Sequence, residues 1–599
     1  VVDPSGAVIP AVAVVLQQPD GAVVASATSD GRGSFSFGSV RPGRYEVVVR
    51  LAGFKPSTTP VEVTARREPP RLRIALALAG IAEDVVVGNE GPSTRPGENR
   101  DAVAVDEGML KSLPVFDQDY ITALSQFLDQ GAVGSDGVSL VVDGAEASRV
   151  HVSPSAIQEV KINQNPYSAE YFRPGRGRIE IITKEAEPEY HGTFNFLFRD
   201  SSLNAQAPFA PEKAPEQRRI YEGELSGPLG PIQNTNFLLS FDHHEEDAQA
   251  VVLAEGPEGA IRQNVPSPQR ITDFSARIVR RFSPKHSLWV EYALEDRSAQ
   301  NTGVGGFTLP EAGADSTYRE DDLDINDQWA VSAHLMNQLF LHFEWNHGAT
   351  TSLSSAPQIV VQDAFTSGGA QADQRQTEHD FKLFDSFTWT LPRQVLRAGV
   401  QAAEWSHRTY TDLTNQGGTY FFSSLADYEA GRPYAYTRQE GNGYVPLFQE
   451  ILGGYVQDEL RLRPNLSLAV GARYDYQNFI GGGRFAPRAF GAFSPVGSRW
   501  TFRGGLGVFA DRFPPNVYST LLLHDGSHLN SYLILDPSYP NPGPLSEEPA
   551  NLVELASDLV TPYSLQYGLG AECQLGKGTT LAVNYRGSRG VSLFRSLDV

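Results

Sequence analysis

The sequence predicts a mostly β protein in three parts: a small N-terminal β-sandwich, a mixed α/β segment and a large antiparallel transmembrane β-barrel. Three observations carry this. With 23 Tyr, 32 Phe and 56 Gly in 599 residues, the composition suits strands and turns rather than long helices. Period-two alternation of apolar and polar residues recurs from near His191 to the end. The connections between those alternating runs are short at one end and mostly long at the other, which is how an outer-membrane barrel is built.

Bulk properties remove several alternatives. A net charge of −22 opposes binding to nucleic acid, because phosphate repels a surface of that sign. No apolar window approaches the roughly twenty residues of a spanning helix, but a barrel wall alternates and escapes such averaging. The single cysteine, Cys573, makes an intrachain bridge or a Cys-based zinc site impossible. The chain opens at Val1-Val2-Asp3-Pro4, which leads us to expect a processed or truncated start.

The first part, residues 1–79, has short β-rich runs between the turn signals Asp3-Pro4-Ser5-Gly6, Pro19-Asp20-Gly21, Ser29-Asp30-Gly31 and Arg41-Pro42-Gly43. Phe35 and Phe37 share one face there, and Tyr45, Val47 and Val49 share the opposing one. The run TSDGRGSFSFGSVRPGRYEVVV resembles the carboxypeptidase regulatory-like domain, with its Asp-x-x-Gly-x-Phe-x-Phe and Pro-Gly-x-Tyr. That name belongs to an accessory domain and brings no protease chemistry.

Residues 80–100 read as a short β-branched run, Glu83-Asp84-Val85-Val86-Val87, followed by a Pro/Gly/polar linker from Gly91 to Arg100. Residues 101–188 contain an expected helix near 117–128 and short strands around SLVVDGAEA, AIQEVKINQ and GRIEIITKEA. The runs VVDG, AIQEVKI, NPYSAEY and RPGRGRIEIITK resemble the plug domain of TonB-dependent outer-membrane receptors, most closely the Oar-like branch with an N-terminal regulatory-like domain.

Residues 189–599 are the expected barrel. About fifteen stretches alternate: near 191–200, 218–229, 235–242, 271–283, 286–297, 325–336, 339–349, 379–391, 394–411, 449–463, 466–478, 485–494, 500–512, 563–575 and 579–590. The short connections are 230–234, 283–285, 337–338, 392–393, 464–465, 495–499 and 576–578. The long ones are 201–217, 243–270, 298–324, 350–378, 412–448 and 513–562, with 479–484 a short exception. Leu466, Leu468, Val470, Ala472, Tyr474 and Tyr476 should meet lipid, while Ser467, Ala469, Gly471, Arg473 and Asp475 face the lumen. Asp458 breaks the alternation of the preceding strand. The runs GGYVQDELRL, FAPRAFGAFSP and WTFRGGLGVFADRF are similar to barrel strands of the same receptors. Those receptors have 22 strands, and an odd count leaves an edge whose backbone groups lipid cannot satisfy. The expectation is therefore a chain that stops before its natural C-terminus.

The resemblance implies a bacterial outer-membrane location, with the N-terminal domain in the periplasm. It implies a receptor that binds a scarce substrate outside and imports it by energised plug rearrangement. The implied partners are the periplasmic protein TonB with its inner-membrane energising complex, an extracellular substrate of unknown class, and outer-membrane lipid. Nucleic acid, cofactor and metal are not expected. Glu83 to Val87 is the candidate TonB-pairing strand, by β-augmentation, although Val85–Val87 equally suits the end of the first domain. Arg173, Arg176 and Arg178 are candidate plug anchors, since a guanidinium fork suits barrel-wall carboxylates; solvated loop charge is the plainer reading. Tyr420, Phe421, Phe422, Tyr428, Tyr434 and Tyr436 are candidate ligand contacts, and an interfacial aromatic girdle is the competing explanation. Asp143-Gly144 marks a turn, and 516–540 reads as a loop able to form a lid. An adhesion, structural or export role on the same fold is the alternative function, and a secreted polysaccharide-binding β protein the second.

Enzyme-like signals are weak. Asp242-His243-His244-Glu245-Glu246-Asp247 reads as a solvated loop. Asp322-x-Asp324-x-Asn326 lacks the glycine and terminal glutamate of a calcium loop. Gly576-Lys577-Gly578-Thr579 sits in a hairpin turn without phosphate-loop spacing. No Gly-x-Ser-x-Gly elbow is present, so no covalent chemistry is expected.

Overall fold

Consecutive alternating strands pair with their neighbours, and the rest of the architecture follows from that. The computed structural model describes most of residues 1–76 and 102–597; the undescribed stretches longer than five residues are 2–8, 50–56, 65–71, 77–101, 113–119 and 545–551. The main body is a 15-stranded sheet in strict chain order, every neighbouring pair antiparallel, from His191–Asp200 to Thr579–Val591. Each strand overlaps one of the stretches expected from alternation. With that order, alternate connections must fall on opposite rims. The rim carrying Pro284-Lys285, 331–334, Pro392-Arg393, Pro464-Asn465 and 494–499 is the tight one. No helix among the described residues is long and apolar enough to cross a membrane.

Several expected boundaries shift; strand Ala314–Ala330, for one, begins inside the expected connection 298–324. The stretch 243–270 is not a loop: Thr235–Gly256 and Gly259–Ser283 form one continuous hairpin of 22- and 25-residue strands. At about 3.3 Å per residue the longer strand runs on the order of 80 Å, well past the hydrocarbon core. Asp242 to Asp247 therefore lies in a ladder; His243 bonds Thr272 and His244 bonds Asp242 across or along it. The turn expected at Asn337-Gln338 is interior to Leu335–Ser352, and the reversal falls at 331–334 instead.

The wall is inside-out relative to a soluble sheet. On Leu466–Gln477, Ser467, Arg473, Asp475 and Gln477 are buried, whereas Val470 and Tyr474 are 40% and 50% exposed. On Trp500–Ala510, Thr501 and Phe509 are buried, while Trp500, Phe502 and Leu506 are exposed. Apolar side chains facing out and polar ones facing in suit lipid outside and a wet, occupied lumen. Asp458 faces outward near the tight rim, where Gln394 Nε2 donates to it at 3.1 Å.

Two smaller bodies complete the chain. Near the N-terminus a four-stranded sheet, in the order Val23–Thr28, Ala13–Gln17, Gly43–Val49, Ser57–Val63, buries Tyr45, Val47 and Val49. Phe35 and Phe37 pack against that core, from a segment outside the strands. It is the one sheet there among the described residues. The second body is a five-stranded mixed sheet in the order Val103–Asp106, Ile157–Ile162, Arg178–Thr183, Ser139–Val142, Ala145–Ala147. Helices Glu107–Ser112 and Tyr120–Ser125 accompany it, the second within the expected helical stretch.

Candidate functional site: the plug and its seat

The second body sits against the inner face of the barrel sheet, and its contacts with the wall are mainly polar, with Ala145 packed on Phe340 and Phe384 and Tyr167 on Phe490 as the apolar exceptions. Three groups of residues make the seat. The first is the Asp143-Gly144 turn. Gly144 takes φ +92° and Asp143 +49°, a backbone that favours glycine and tolerates aspartate. The turn aims the Asp143 carboxylate at Thr183, whose amide and hydroxyl donate at 3.0 and 2.6 Å, and at the barrel's Arg277, 3.0 Å away. Arg277 also reaches Glu291 at 2.6 Å and lies over the Trp289 ring. The landmark turn is thus also an anchor.

The second group centres on Arg149. Its guanidinium meets Asp273 at 3.1 Å, Glu295 at 3.0 Å, Glu320 at 2.5 Å and Asp322 at 3.0 Å, from three strands of the wall. Burial alone would favour the neutral form. Glu320, Glu295 and Asp322 outweigh it and hold the group charged. Nothing local in the sequence singles out Arg149, because its acids lie 124 to 173 residues away along the chain.

The third group is residues 165–178, an irregular segment that is buried almost throughout. An irregular backbone inside a barrel needs donors for its carbonyls. Barrel arginines supply them. Arg473 donates to the Glu170 carbonyl at 2.8 Å, and Arg488 to those of Ser168, Tyr171 (2.7 Å) and Phe172 (3.2 Å). Gln457 accepts from the Ala169 amide at 2.7 Å. Glycine lets the ring of Tyr167 approach the wall, since a Cβ at Gly505 would stand 2.5 Å from its Cδ2.

The three arginines singled out by sequence part ways here. Arg173 pairs with Asp511, just beyond a barrel strand, at 2.8 Å. Burial pulls its pKa down, and Asp511 opposes the shift. Arg178 pairs within the plug sheet with Glu180 and covers the Tyr171 ring. Arg176 is buried in the short turn Gly175–Gly177. Contacts between plug and barrel fall mainly to residues the sequence did not single out: Arg149 of the plug, Arg277, Arg473 and Arg488 of the wall, and Arg512, just beyond strand Trp500–Ala510, which pairs with Glu146 of the plug at 3.2 Å. The candidate TonB-pairing strand, Glu83 to Val87, lies outside the described residues.

Above the plug, three outer connections knit into a second sheet, Phe365–Ser367, Gln358–Val361, Thr419–Phe422, Ala435–Gly441 and Leu529–Leu535. Its core is aromatic. Tyr420, Phe422 and Tyr436 are buried there against Phe365, Tyr428 and Tyr539. Of the residues expected as ligand contacts, Tyr420, Phe422 and Tyr436 have their rings packed into the cap. All six expected aromatics stand on the connections and not on barrel strands. Phe421 and Tyr434 pack together on the other side, Tyr434 well exposed. Tyr420 also donates to the Pro540 carbonyl at 2.5 Å. Tyr420→Phe should therefore cost about 1 kcal/mol, read as earlier cleavage of the cap by a soluble protease.

Beneath the outer rim lies a cavity of about 730 Å³. Gln269, Arg297, Tyr318, Gln376 and Tyr410 line it from the wall, and helix Pro515–Leu523 closes one side with Ser519 and Thr520. None of the six expected aromatics borders it. The stretch read as a possible lid divides between this helix and the cap strand Leu529–Leu535.

Comparisons with known proteins agree with this architecture. The model of the outer membrane beta barrel domain family matches residues 245–483 and 481–599, and that of the carboxypeptidase regulatory-like domain matches 1–77. No curated protein matches the sequence. Among solved structures, the outer membrane transporter YddB of Escherichia coli is 14% identical with a TM-score of 0.60, over 83% of this chain and 70% of that one. The siderophore receptor PirA of Pseudomonas aeruginosa is 14% identical with a TM-score of 0.52, over 82% and 74%. A mutant of the ferric enterobactin receptor PfeA of Pseudomonas aeruginosa is 15% identical with a TM-score of 0.53, over 84% and 73%. At these identities the likeness is one of fold. An apolar-out barrel, a plug pinned in its lumen and two matching family models make this chain a member of the outer membrane beta barrel domain family, with a TonB-dependent-receptor-like barrel and an N-terminal carboxypeptidase regulatory-like domain.

Proposed function

We propose that this protein is a TonB-dependent receptor that binds a scarce substrate outside the cell and admits it to the periplasm when the plug is pulled and rearranges. The observation that carries this is the seat itself. The plug is held mainly by ion pairs and backbone hydrogen bonds, with only a small apolar contact of Ala145 against Phe340 and Phe384 and of Tyr167 on Phe490. The polar contacts can be exchanged for water one at a time, so a pulled plug can move while exposing little apolar surface. The cavity under helix Pro515–Leu523 is the proposed substrate chamber; its volume lies within the range of small-molecule sites. The chain would divide into a regulatory-like domain (1–79), a coupling segment and linker (80–100), the plug (101–188) and the barrel (189–599).

Glu83 to Val87 remains the proposed coupling strand, because an extended β-branched run beside a linker can add to a partner's sheet edge. Deleting residues 83–87 should leave surface assembly and substrate binding intact and abolish uptake. Uptake that survives the deletion would remove this role and favour an adhesion, structural or export function on the same fold.

A further inference from the structure

The outward face of the wall gathers donors at one place near its outer end. Parity along each strand sets which side chains face lipid. Glu344 and Asn346 are buried, so Trp345 and His347 point outward; Asp380 likewise sets His379 and Phe381 outward, and Glu404 and Ser406 set Trp405 and His407 outward. His347, His379 and His407 are all exposed. The register brings them together. His379 stands directly opposite His407, and His347 opposite Thr377, two residues from His379. Arg375 is on the same face, two residues beyond Thr377, and is exposed. Opposite residues on one face have Cβ atoms about 4.5–5.5 Å apart and diagonal ones about 7–8 Å, so these side chains form one patch. The hydroxyls of Thr377 and Thr409, 2.6 Å apart, lie within it.

Its height follows from the strands. Leu335 to His347 and His379 to Leu391 are each twelve steps from the tight rim. At about 3.3 Å per residue and a tilt of about 40°, that is a rise of about 30 Å. The apolar band of such a wall is about 25 Å tall, so the patch stands at headgroup level. The rings beside and beneath it agree. Trp345, Phe343, Phe381 and Trp405 form a continuous run with centroids 6.2, 4.9 and 5.6 Å apart in succession, as aromatics at a membrane interface do.

The charge of the patch sets it apart. Elsewhere on the outward face, Arg219 meets Glu245 at 2.7 Å and Asp247 at 3.2 Å, Arg270 meets Asp247, and Arg319 meets Asp321 at 2.8 Å. His347, His379, His407 and Arg375 make no ion pair among the described residues. The other outward positions level with them or above, on these three strands, are Trp345, Ala349, Thr351, Thr377, Thr409 and Thr411, with no carboxylate among them. Flanking carboxylates are already engaged: Asp321 by Arg319 and by the Tyr292 hydroxyl at 2.6 Å, Glu450 by Trp405 Nε1 at 3.3 Å, and Asp373 by the Ser352 amide at 3.3 Å.

We propose that His347, His379, His407 and Arg375 bind the phosphate-bearing headgroup of a lipid in the outer leaflet. A guanidinium suits phosphate oxygens, and an imidazole carries at least one N–H donor whether neutral or charged. The threonine hydroxyls add donors to the same headgroup. The acyl chains would lie over Phe343, Phe381 and Trp405. A soluble anion gains nothing from that aromatic run, whereas a lipid uses both parts. The site is on the lipid side of the wall and is independent of the substrate chamber.

The test is native mass spectrometry of the purified full chain in detergent micelles. The chain is titrated with a bis-phosphorylated, acylated glucosamine disaccharide (lipid A) and separately with its dephosphorylated form. The phosphorylated lipid is expected to bind at least about tenfold more tightly. The triple variant His347→Gln, His379→Gln, His407→Gln should lose that preference while keeping heat-modifiable gel mobility. Arg375→Gln should reduce it, and His379→Gln, at the centre of the patch, is the variant to read if the triple one fails to assemble. Arg270→Gln, whose guanidinium faces the same way but is paired with Asp247, should leave the preference unchanged. Equal binding of the two lipids overturns the proposal. So does a preference that survives in the folded histidine variants, or one lost as fully in Arg270→Gln. Release of the bound lipid by an equal concentration of inorganic phosphate also overturns it, because the patch is then an anion site and not a lipid site.

Discussion

Arg149→Ala is expected to unseat the upper part of the plug. The substitution leaves Asp273, Glu295, Glu320 and Asp322 around an empty position, with Arg297 still beside Glu295. Removing one partner from a buried ion pair costs about 3–5 kcal/mol, because the charge left behind has no compensation. Here several carboxylates lose a common partner and also repel one another. The loss should appear as ion conductance through the barrel in a planar bilayer without any energy source, and as faster proteolysis within residues 101–188. Arg149→Lys keeps the charge but cannot reach four carboxylates with one ammonium, so it should fall between. Wild-type conductance and wild-type cleavage in Arg149→Ala would mean that the plug is held elsewhere. The arginine-to-carbonyl contacts of Arg473 and Arg488 would then be the seat.

The sequence discloses the barrel because lipid imposes a period of two. Leu466 to Tyr476 alternates cleanly, and its polar row is the buried one. Where the strands rise above the membrane both faces are wet, the alternation disappears, and 243–270 reads as a loop although it is a hairpin. The reversal at 331–334 is displaced in the sequence reading for a related reason: Asn337 and Gln338 look like turn residues, yet Gln338 is a buried lumenal position. Anchoring is harder still to read. Arg173, Arg176 and Arg178 stand out among Pro and Gly, but Arg178 pairs within the plug, with Glu180. Arg149 has no local signature, since its role exists only once three barrel strands surround it. The aromatics of 412–448 are conspicuous in sequence and packed into the cap, because adjacent loops need a core as much as domains do. Local pattern reports the solvent that each face meets; it does not report partners brought together by the tertiary fold.

Leu506→Arg tests the solvent assignment directly. Leu506 is 55% exposed on Trp500–Ala510, six residues from Trp500 at the tight rim, on the row shared with Trp500 and Phe502. If that row faced water, an arginine there would change stability by less than about 0.5 kcal/mol and would if anything aid solubility. In lipid the same substitution costs about 2–4 kcal/mol near the midplane, because the guanidinium must leave water or drag water into the bilayer. The variant should fold less completely into lipid vesicles, with its heat-modifiable band weakened and its urea midpoint lowered, while Leu506→Val stays close to wild type. The inward row should behave oppositely: Arg503, paired with Glu572 at 3.1 Å, already carries a guanidinium at its place on the same strand. A stable Leu506→Arg protein would mean that the exposed row meets water. The barrel, the seat of the plug and the transport reading would then fall together, since each depends on which side of this sheet is wet.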